Sequence, residues 1–268
     1  MAWTLGLPHM DAPTTGAGCG LDTRVGPRRR VATRVPGVPT SVTSRLQRLA
    51  DDGHASSISH RLREHRFRLF DELVGALPKP VSVLDVGGTT KYWRQRGWAG
   101  RDGVTITLVN LDAEEQQFDN VIPTAGDATD LCDHADGSYD VAYSNSVIEH
   151  LTDLDSQSRM AREVQRVAGA YWVQTPNFWF PIEPHFLVPA WHWLSEDARV
   201  AILRRRGVGW AGRCEDPEFA RKIVREHRLM RRRELQQLFP EARIVAERFG
   251  GLVKSWIAIG GFAGAERA

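Results

Sequence analysis

The chain has 268 residues, 42% of them hydrophobic and 25% charged, which provides for one sizeable core with appendages rather than two full domains. Its formal net charge is only +2, so the composition gives no electrostatic reason to expect a nucleic-acid partner. No apolar run reaches the roughly 20 residues that a bilayer span requires. The three cysteines, Cys19, Cys132 and Cys214, are far apart, which argues against a disulfide framework and a paired metal site. We therefore expect a cytoplasmic protein that binds no metal.

The first 77 residues divide into two stretches of different character. Residues 1–40 mix Gly, Pro, Thr, Ala and Arg without apolar periodicity, which predicts a disordered tail, and Met10 is an alternative start. Residues 41–77 have a helical pattern, and we expect them to form helices that pack before the main core. The predicted apolar stripe of these helices contains Leu62, Arg66, Leu69 and Leu73.

Short apolar runs alternate with helical patterns from residue 81 onward. The first run, at 81–86, is rich in β-branched residues and stops at a Gly pair, as a buried strand does before a turn. Later strands are predicted at 104–109, just before Gly126, at 140–143 and at 171–174. This alternation is typical of a mainly parallel sheet with helices on both faces.

A helix is predicted between the last two of these strands. It carries Met160, Val164 and Val167 at helical spacing, and Gly169 lies where such a helix is expected to stop.

The last third of the chain departs from the alternation. Residues 178–230 start with dense aromatics and prolines and continue as two helices, one capped by Ser195 and the other by Asp216, with Pro217 at its first position. A helix at 232–239 ends at Pro240. Two strands, at 244–246 and 255–259, flank a Gly pair and are expected to run antiparallel.

Together these elements predict an α/β fold, with a doubly wound, mainly parallel seven-stranded sheet, a helical N-terminal extension and a helical insertion late in the chain. We divide the chain into a tail (1–40) and one domain (41–268). The parts of that domain are N-terminal helices (41–77), a cofactor-binding core (81–177), an insertion that serves as a substrate lid (178–230), and a closing helix and strands (231–268).

The strongest local signal is the sequence Val-Leu-Asp-Val-Gly-Gly-Thr at 83–89, where a strand runs into a Gly-rich turn. Glycine lets the backbone approach a ligand closely, and the start of a following helix offers N–H groups to an anionic group. A Gly pair by itself is explained equally well by a tight turn. Asp85, at the end of the strand, is the more specific feature and favours a nucleotide-like cofactor.

Polar residues also follow the later strands, at the edge where open α/β sheets bind their ligands. Asn110 and Asp112 can hydrogen-bond ribose hydroxyls, or they belong to an ordinary loop. Asp127, which follows Gly126, can accept a hydrogen bond from an adenine amino group, or it caps a turn. The polar segment 144–151 is expected to face the same cleft.

This set resembles the class I S-adenosylmethionine-dependent methyltransferases, whose first strand ends in Asp, any residue, Gly. The resemblance covers residues 81–180 well and 243–260 more loosely. It implies a Rossmann-like methyltransferase fold and S-adenosyl-L-methionine as the cofactor. The residues that it implies as cofactor ligands are Asp85, Gly87, Gly88 and Thr89 at the methionine part, Asn110 or Asp112 at the ribose, Asp127 and Ala128 at the adenine, and Ser144 and Asn145 on the methionine and substrate side.

Two positions depart from the family's pattern. The family's turn usually has another Gly two places after Gly87, where this chain has Thr89. The acidic position after the second strand is Asn110 here, unless Asp112 takes that role from the loop. The ribose ligand is therefore left open between these two residues.

Three titratable side chains are candidates for acid–base catalysis. Glu183 and His185 lie among aromatic residues just after the fifth strand, where a shifted pKa suits a general base. His150 follows the fourth strand. Each histidine also has an ordinary explanation, because a buried histidine often completes a hydrogen bond or supports a cofactor loop.

The aromatic part of the insertion, which continues through Trp191 and Trp193, has three open roles. It can be a substrate lid, a dimer face, or a patch that makes peripheral contact with a membrane, and we favour the lid. The arginine runs at 204–206 and 231–233 are interpreted as solvated helix ends, with an anionic substrate or lipid surface as the alternative.

The leading functional hypothesis is a methyltransferase that acts on a small molecule, such as a sugar, glycolipid or secondary metabolite, by in-line transfer to oxygen or nitrogen. The second hypothesis is a non-catalytic protein that binds a cofactor or a partner. The third is a nicotinamide-dependent oxidoreductase, and Lys91 counts against it, because the nucleotide signature of such enzymes has Gly three places after Gly88.

Overall fold

Seven strands form one sheet in the computed structural model, which describes residues 58–183, 185–208 and 212–262. The predicted tail (1–40) and the start of the predicted N-terminal helices (41–57) lie outside these residues, as do Met10 and Cys19. No helix in the described part of the chain is long and apolar enough to cross a membrane.

The sheet is parallel in its first five strands and closes with an antiparallel pair. The strands are β1 (Val81–Val86), β2 (Val104–Asn110), β3 (Val121–Ala125), β4 (Tyr139–Asn145), β5 (Ala168–Pro176), β6 (Arg243–Phe249) and β7 (Leu252–Gly260). Their spatial order is β3-β2-β1-β4-β5-β7-β6, and β7 runs antiparallel to both of its neighbours. The predicted seven-stranded, mainly parallel sheet is confirmed.

Six α-helices and two short 3-10 helices accompany the sheet within the described residues. The α-helices are α1 (Ile58–Gly75), α2 (Thr90–Gln95), α3 (Leu154–Val167), α4 (Glu196–Arg205), α5 (Pro217–Arg225) and α6 (Arg232–Leu238). The 3-10 helices are Ile148–His150 and Trp191–Trp193.

Alternating side chains of the strands face two separate apolar cores, one on each side of the sheet. On one side, Val83 of β1 packs with Phe70 of α1 and Trp93 of α2. On the other, Leu84 packs with Met160 of α3 and Leu235 of α6. Both faces of the sheet are therefore covered, as in a doubly wound α/β fold.

The apolar face of α1 is rotated from the predicted stripe. Phe70 and Val74 are fully buried, whereas Leu69 and Leu73 are only partly buried at the edge of the core. Arg66 is buried as predicted, because its guanidinium pairs with Glu247 at 3.3 Å. The side chain of Leu62 lies outside the described residues.

The prediction that Gly169 ends a helix is wrong. Helix α3 ends at Val167, and β5 begins at the next residue, so Gly169 lies inside the strand. Ala168 is already extended, with φ −137° and ψ 145°, and the chain turns from helix to strand without a glycine in left-handed conformation.

The insertion (residues 178–230) has a small apolar core of its own, separate from both faces of the sheet. Phe186, Trp191, Val200 and Leu203 are buried in it. Both predicted helix caps are confirmed, since Ser195 accepts a hydrogen bond from the N–H of Ala198 and Asp216 accepts one from the N–H of Phe219. The two ends of the insertion meet where the N–H of Phe178 donates to the carbonyl of Met230.

Candidate cofactor and acceptor site

Asp85 lies at the carboxyl end of β1 and is almost completely buried. Its Oδ2 accepts a hydrogen bond of 2.6 Å from the indole Nε1 of Trp93. Its Oδ1 is buried and has no hydrogen-bond partner among the described residues. Burial raises the pKa of Asp85 to about 7, and the hydrogen bond from Trp93 opposes this only in part. A ligand that donates a hydrogen bond to Oδ1 would satisfy this carboxyl group.

The two glycines after Asp85 are required by close contacts. Gly87 has φ +82°, and a Cβ atom there would lie 2.5 Å from a methyl carbon of Val147. A Cβ atom on Gly88 would lie 1.5 Å from Oδ2 of Asp85. Side chains at these two positions would therefore collide with Val147 and Asp85. The absence of side chains also allows a ligand to approach the backbone of the turn.

Thr89 explains why the turn lacks the family's further glycine. Its Oγ1 accepts a hydrogen bond of 3.3 Å from the N–H of Tyr92, so Thr89 caps α2. The N–H of Thr90 donates to the carboxylate of Glu114, a residue that the sequence analysis did not select. Two of the backbone donors at this helix start are thus already used within the protein.

The loop after β2 supports the glycine turn. The amide Nδ2 of Asn110 donates a hydrogen bond of 2.6 Å to the carbonyl of Gly88. Asp112 is exposed on the same loop. Asn110 therefore holds the turn in place, while Asp112 presents its carboxylate at the sheet edge.

Asp127 has the turn-capping role that was its ordinary alternative. Its Oδ1 accepts hydrogen bonds from the N–H and the hydroxyl of Thr129, at 2.8 and 2.9 Å. Ala128 packs partly buried against the core on the α3 side of the sheet.

Ser144 and Asn145 end β4 beside the glycine turn. Ser144 is completely buried, and its hydroxyl donates to the carbonyl of Val86, which ties β4 to β1. Asn145 has a buried Oδ1 without a hydrogen-bond partner among the described residues. Two of the predicted cofactor ligands, Asp85 and Asn145, therefore carry buried acceptor oxygens that the described protein leaves unsatisfied.

Three histidines meet on the insertion side of the cleft. His150 ends the 3-10 helix after β4, His185 lies in the loop after β5, and His227 follows α5. The ring centroids are 3.9 Å apart for His185 and His227, 4.7 Å for His150 and His227, and 5.0 Å for His150 and His185. The first two are predicted from the sequence as candidate bases, whereas His227 is not.

Glu183 holds His185 in this cluster. Its Oε1 lies 2.5 Å from Nδ1 of His185, and its Oε2 accepts the N–H groups of His185 and Phe186 at 2.8 and 2.7 Å. Burial alone lowers the pKa of His185, but the hydrogen bond and charge of Glu183, together with the charge of Glu149, outweigh it, and the pKa is raised.

The other two rings are shifted in the opposite direction. Burial, with a further contribution from His185, lowers the pKa of His150 to about 4. Burial, with contributions from His185 and His150, lowers the pKa of His227 to about 2. Both rings are therefore neutral at physiological pH.

Glu149 is a second buried carboxyl group that the sequence analysis did not select. Its Oε2 accepts the hydroxyl of Thr175 at 3.1 Å, and burial raises its pKa to about 7, against the lowering effect of His185. Glu149 is therefore a protonatable carboxyl group close to His185 and the other histidines of the cleft.

A cavity of about 160 Å³ opens beside the histidine cluster, inside the insertion. It reaches none of the residues predicted to bind the cofactor. Its wall is formed in equal parts by apolar side chains, such as Phe178 and Trp191, and by polar or charged ones, such as Glu183, Arg199 and His227.

The surface of the insertion presents two large aromatic side chains. Trp179 and Trp193 are 60% and 46% exposed, and their ring centroids are 6.3 Å apart. Arg231 lies over the rings of Phe178 and Trp179. The arginines at 204–206 and 231–233 are exposed at helix ends, in agreement with the solvated interpretation. Contact with a membrane surface stays a prediction.

A comparison with protein families agrees with the resemblance of the core. Residues 84–170 match the family model of a methyltransferase domain, and this stretch contains the glycine turn and the strand ends described above. In this stretch the chain is similar to S-adenosylmethionine-dependent methyltransferases. The cofactor that this similarity implies is S-adenosyl-L-methionine.

Curated relatives of this chain come from Mycobacterium tuberculosis. The uncharacterized protein Rv1509 of strain H37Rv is 32% identical over 158 residues, which are 55% of this chain and 52% of that protein. The uncharacterized protein MT1557 of strain CDC 1551 matches to the same extent. The chain thus spans about half the length of the curated relatives that it matches.

Solved structures with a related fold are distant. A SAM-dependent methyltransferase from Methanosarcina mazei is 14% identical, with a TM-score of 0.43 over 70% of this chain and 94% of the other. A sarcosine dimethylglycine methyltransferase from Galdieria sulphuraria is 16% identical, with a TM-score of 0.45 over 79% and 67%. The fold assignment rests on the strand order of this chain, not on these likenesses.

Proposed function

We propose that this chain is an S-adenosylmethionine-dependent methyltransferase that methylates an oxygen or nitrogen atom of a small molecule. A sugar, a glycolipid and a secondary metabolite are the acceptor classes that we favour. The methyltransferase domain at residues 84–170 supports the reaction type, and the cavity in the insertion supports an acceptor of small size.

The observation that carries this proposal is the unsatisfied Oδ1 of Asp85 next to a turn that tolerates no side chain. A buried acceptor without a hydrogen bond is costly, so such an atom is expected to have a partner in the working protein. The ammonium group of the cofactor's methionine part is a donor of the right charge for a carboxylate. Asn145, with its own buried acceptor, would hold the same part of the cofactor.

The remaining cofactor contacts are assigned from the observed hydrogen bonds and exposure. Asn110 uses its Nδ2 to hold Gly88, and we assign the ribose hydroxyls to the exposed carboxylate of Asp112. Asp127 uses Oδ1 for its turn, and we assign the adenine amino group to its other oxygen, with Ala128 packed beside the ring.

When bound, the cofactor supplies the methyl group, which leaves its sulfonium in an in-line displacement. The protein's share of the work is to position the acceptor and exclude water. A hydroxyl acceptor must also lose a proton, and Glu183, His185 and His150 are the groups that we assign to this task. With Nδ1 of His185 engaged by Glu183, we assign the proton transfer to its other ring nitrogen, Nε2.

Calorimetric titration of the full chain with S-adenosylmethionine, with its demethylated product and with NAD tests the proposal. We expect binding of the first two and none of NAD. Asp85→Asn is expected to weaken cofactor binding at least about tenfold, since a charged hydrogen bond contributes roughly 1.5–3 kcal/mol. Asp102→Asn is the matched control, because Asp102 is exposed and lies outside the turn.

Transfer of a labelled methyl group from the cofactor to a metabolite extract then tests catalysis. His185→Ala is expected to lower turnover and to leave cofactor affinity unchanged. If the wild-type chain has no measurable affinity for the cofactor or its product, the proposed function is wrong; if it binds them and methylates nothing in any extract, the non-catalytic alternative gains.

A further inference from the structure

The histidine cluster combines three imidazoles from parts of the chain that are far apart in sequence. One candidate ligand nitrogen from each of His150, His185 and His227 can be chosen so that all three lie within 4.8 Å of one another. The three rings are part-buried. Among the described residues this is the one group of histidine, cysteine or carboxylate side chains with such convergence.

The spacing is close to that of a metal site. A tetrahedral ion with bonds of 2.0–2.1 Å to histidine places its ligand nitrogens about 3.3 Å apart. To bind such an ion, the nitrogens of this cluster would have to approach one another by about 1.5 Å at most. Imidazole is a preferred ligand of zinc and of other first-row transition metals.

The surroundings of His185 match those of a metal-binding histidine. Such a histidine usually donates its second ring N–H to a carboxylate, which fixes the tautomer and orients the ring. Glu183 is placed to accept that hydrogen bond from Nδ1 of His185 at 2.5 Å, and two backbone N–H groups hold Glu183 in turn. This leaves Nε2 of His185 as the atom that can bind an ion.

The other two rings complete the cluster. The ring centroids of His150 and His227 are 4.7 Å apart. Nδ1 of His227 is buried and has no hydrogen-bond partner among the described residues. A ligand at this nitrogen would satisfy it.

We propose that His150, His185 and His227 bind a divalent transition-metal ion of the zinc class, with Glu183 as the positioning residue of His185. Three protein ligands leave at least one coordination position for water or for an oxygen of another molecule, as in catalytic rather than structural zinc sites. Since His227 and Glu183 also line the cavity, that position is next to the space assigned to the acceptor.

The role of the ion in activating the acceptor rests on the proposed function, whereas the binding of the ion to the three histidines does not. An acceptor hydroxyl bound to the ion would lose its proton more readily, because the ion stabilises the alkoxide. In this arrangement the ion, and not a free ring nitrogen of His185, activates the acceptor. The acceptor class is thereby narrowed to molecules with an oxygen that can bind a metal.

The test is the titration of the untagged full chain, stripped of metal, with Zn²⁺ by calorimetry and with Co²⁺ by visible absorption. We expect one equivalent of each to bind and the cobalt form to have the intense bands of a four-coordinate site. Glu183→Gln changes an outer-shell partner and is expected to lower the Zn²⁺ affinity about 10–100-fold. His227→Ala removes a ligand, so it is expected to lower the Zn²⁺ affinity by more than roughly 100-fold. His192→Ala, in the wall of the same cavity but outside the cluster, is the control and is expected to bind Zn²⁺ like the wild type.

A second variant separates loss of a ligand from loss of the fold. His227→Cys replaces one metal ligand by another, so it is expected to bind Co²⁺ again and to add a sulfur-to-cobalt charge-transfer band. Circular dichroism of every variant checks that the chain is folded.

Equal zinc stoichiometry and affinity in the wild type and in folded His227→Ala, or no stoichiometric binding in the wild type, would overturn the metal site. Calorimetry with S-adenosylmethionine on the metal-free chain is run in parallel. Loss of cofactor binding with retention of the zinc site counts against the proposed function alone, and the reverse counts against the metal site alone.

Discussion

The two sides of the cleft are built in different ways. On the cofactor side, the buried carboxyl of Asp85 and the two glycines come from one continuous turn, residues 85–89, and the ends of neighbouring strands add the other predicted ligands. On the insertion side, the histidine cluster draws its members from positions 150, 185 and 227, each on a different segment. A donor site can thus be carried by a local motif, whereas the acceptor chemistry depends on how distant segments meet.

The difference between the two sides is tested most directly by destabilising the insertion and measuring whether the cofactor side changes. Trp191→Ala removes a fully buried ring that stacks on Phe186 at 4.5 Å in the insertion's own core. We expect a loss of about 3–5 kcal/mol in the stability of that core. Hydrogen exchange measures it, with faster exchange confined to residues 178–230.

Trp193→Ala provides the matched control for this change. Trp193 is a neighbouring tryptophan that is 46% exposed, so its removal leaves little cavity behind and is expected to change exchange far less. Faster exchange in β1 and β4 after Trp191→Ala, together with lost cofactor affinity, would show that the two sides are a single unit.

The cofactor side is tested next by filling the space at Gly88. Gly88→Ala places a methyl group where the Asp85 carboxyl lies, so the turn or the carboxyl must move. Overpacking of this kind costs about 1–3 kcal/mol, and we expect cofactor affinity to fall about 10–100-fold, with zinc binding unchanged. Gly75→Ala, at a position with no atom within 4 Å of the new methyl group, serves as the control in the same titration.

The raised pKa of Asp85 predicts a pH dependence that belongs to the cofactor side. Its pKa of about 7 lies above the ordinary value of 3.8, so Asp85 stabilises the ligand-free fold most below pH 4 and loses this contribution as the pH rises through 7. The cationic cofactor prefers the ionised form. Its affinity is therefore expected to rise about tenfold between pH 6 and pH 8.

Calorimetry at several pH values measures this dependence, and Asp85→Asn titrated in parallel accounts for the cofactor's own ionisation. The difference between the two curves is the contribution of Asp85. Parallel curves would mean that the carboxyl group does not contact the cation.

The smallest expected effect concerns a helix cap of the insertion. Ser195→Ala removes the hydroxyl that accepts the N–H of Ala198 at the start of α4 and is expected to destabilise the insertion by about 1 kcal/mol. Chemical denaturation followed by hydrogen exchange detects this, and cofactor affinity is expected to stay as in the wild type. A change in cofactor affinity would contradict the separation of the two sides.

The sequence was sufficient for features in which neighbouring residues determine the outcome. The strand that ends at Asp85 is a local pattern, and so are the caps Ser195 and Asp216, which the structure confirms. Thr89 was read as a departure from a glycine motif, and its use as a helix cap follows from the same local chemistry.

Features that depend on distant contacts could not be predicted. His227 has no local signal, because its partners are 42 and 77 residues away in the chain and meet it only after the insertion has folded back. The apolar face of α1 differs from the predicted stripe because Phe70 and Val74, rather than Leu69 and Leu73, are buried against strands that follow later in the chain. Gly169 was misjudged because the strand β5 starts directly after α3, so tertiary pairing overrides a common stop signal.

The contact between Arg66 and Glu247 has a practical consequence for the choice of recombinant fragments. It joins α1 to the closing strands β6 and β7, and Ser255 completes it with a hydrogen bond to Glu247. A fragment cut to residues 84–170 would lack both partners and the Phe70 ring that seals one face of the sheet. Shortened chains for crystallisation should therefore begin no later than residue 58 and retain both Arg66 and Glu247.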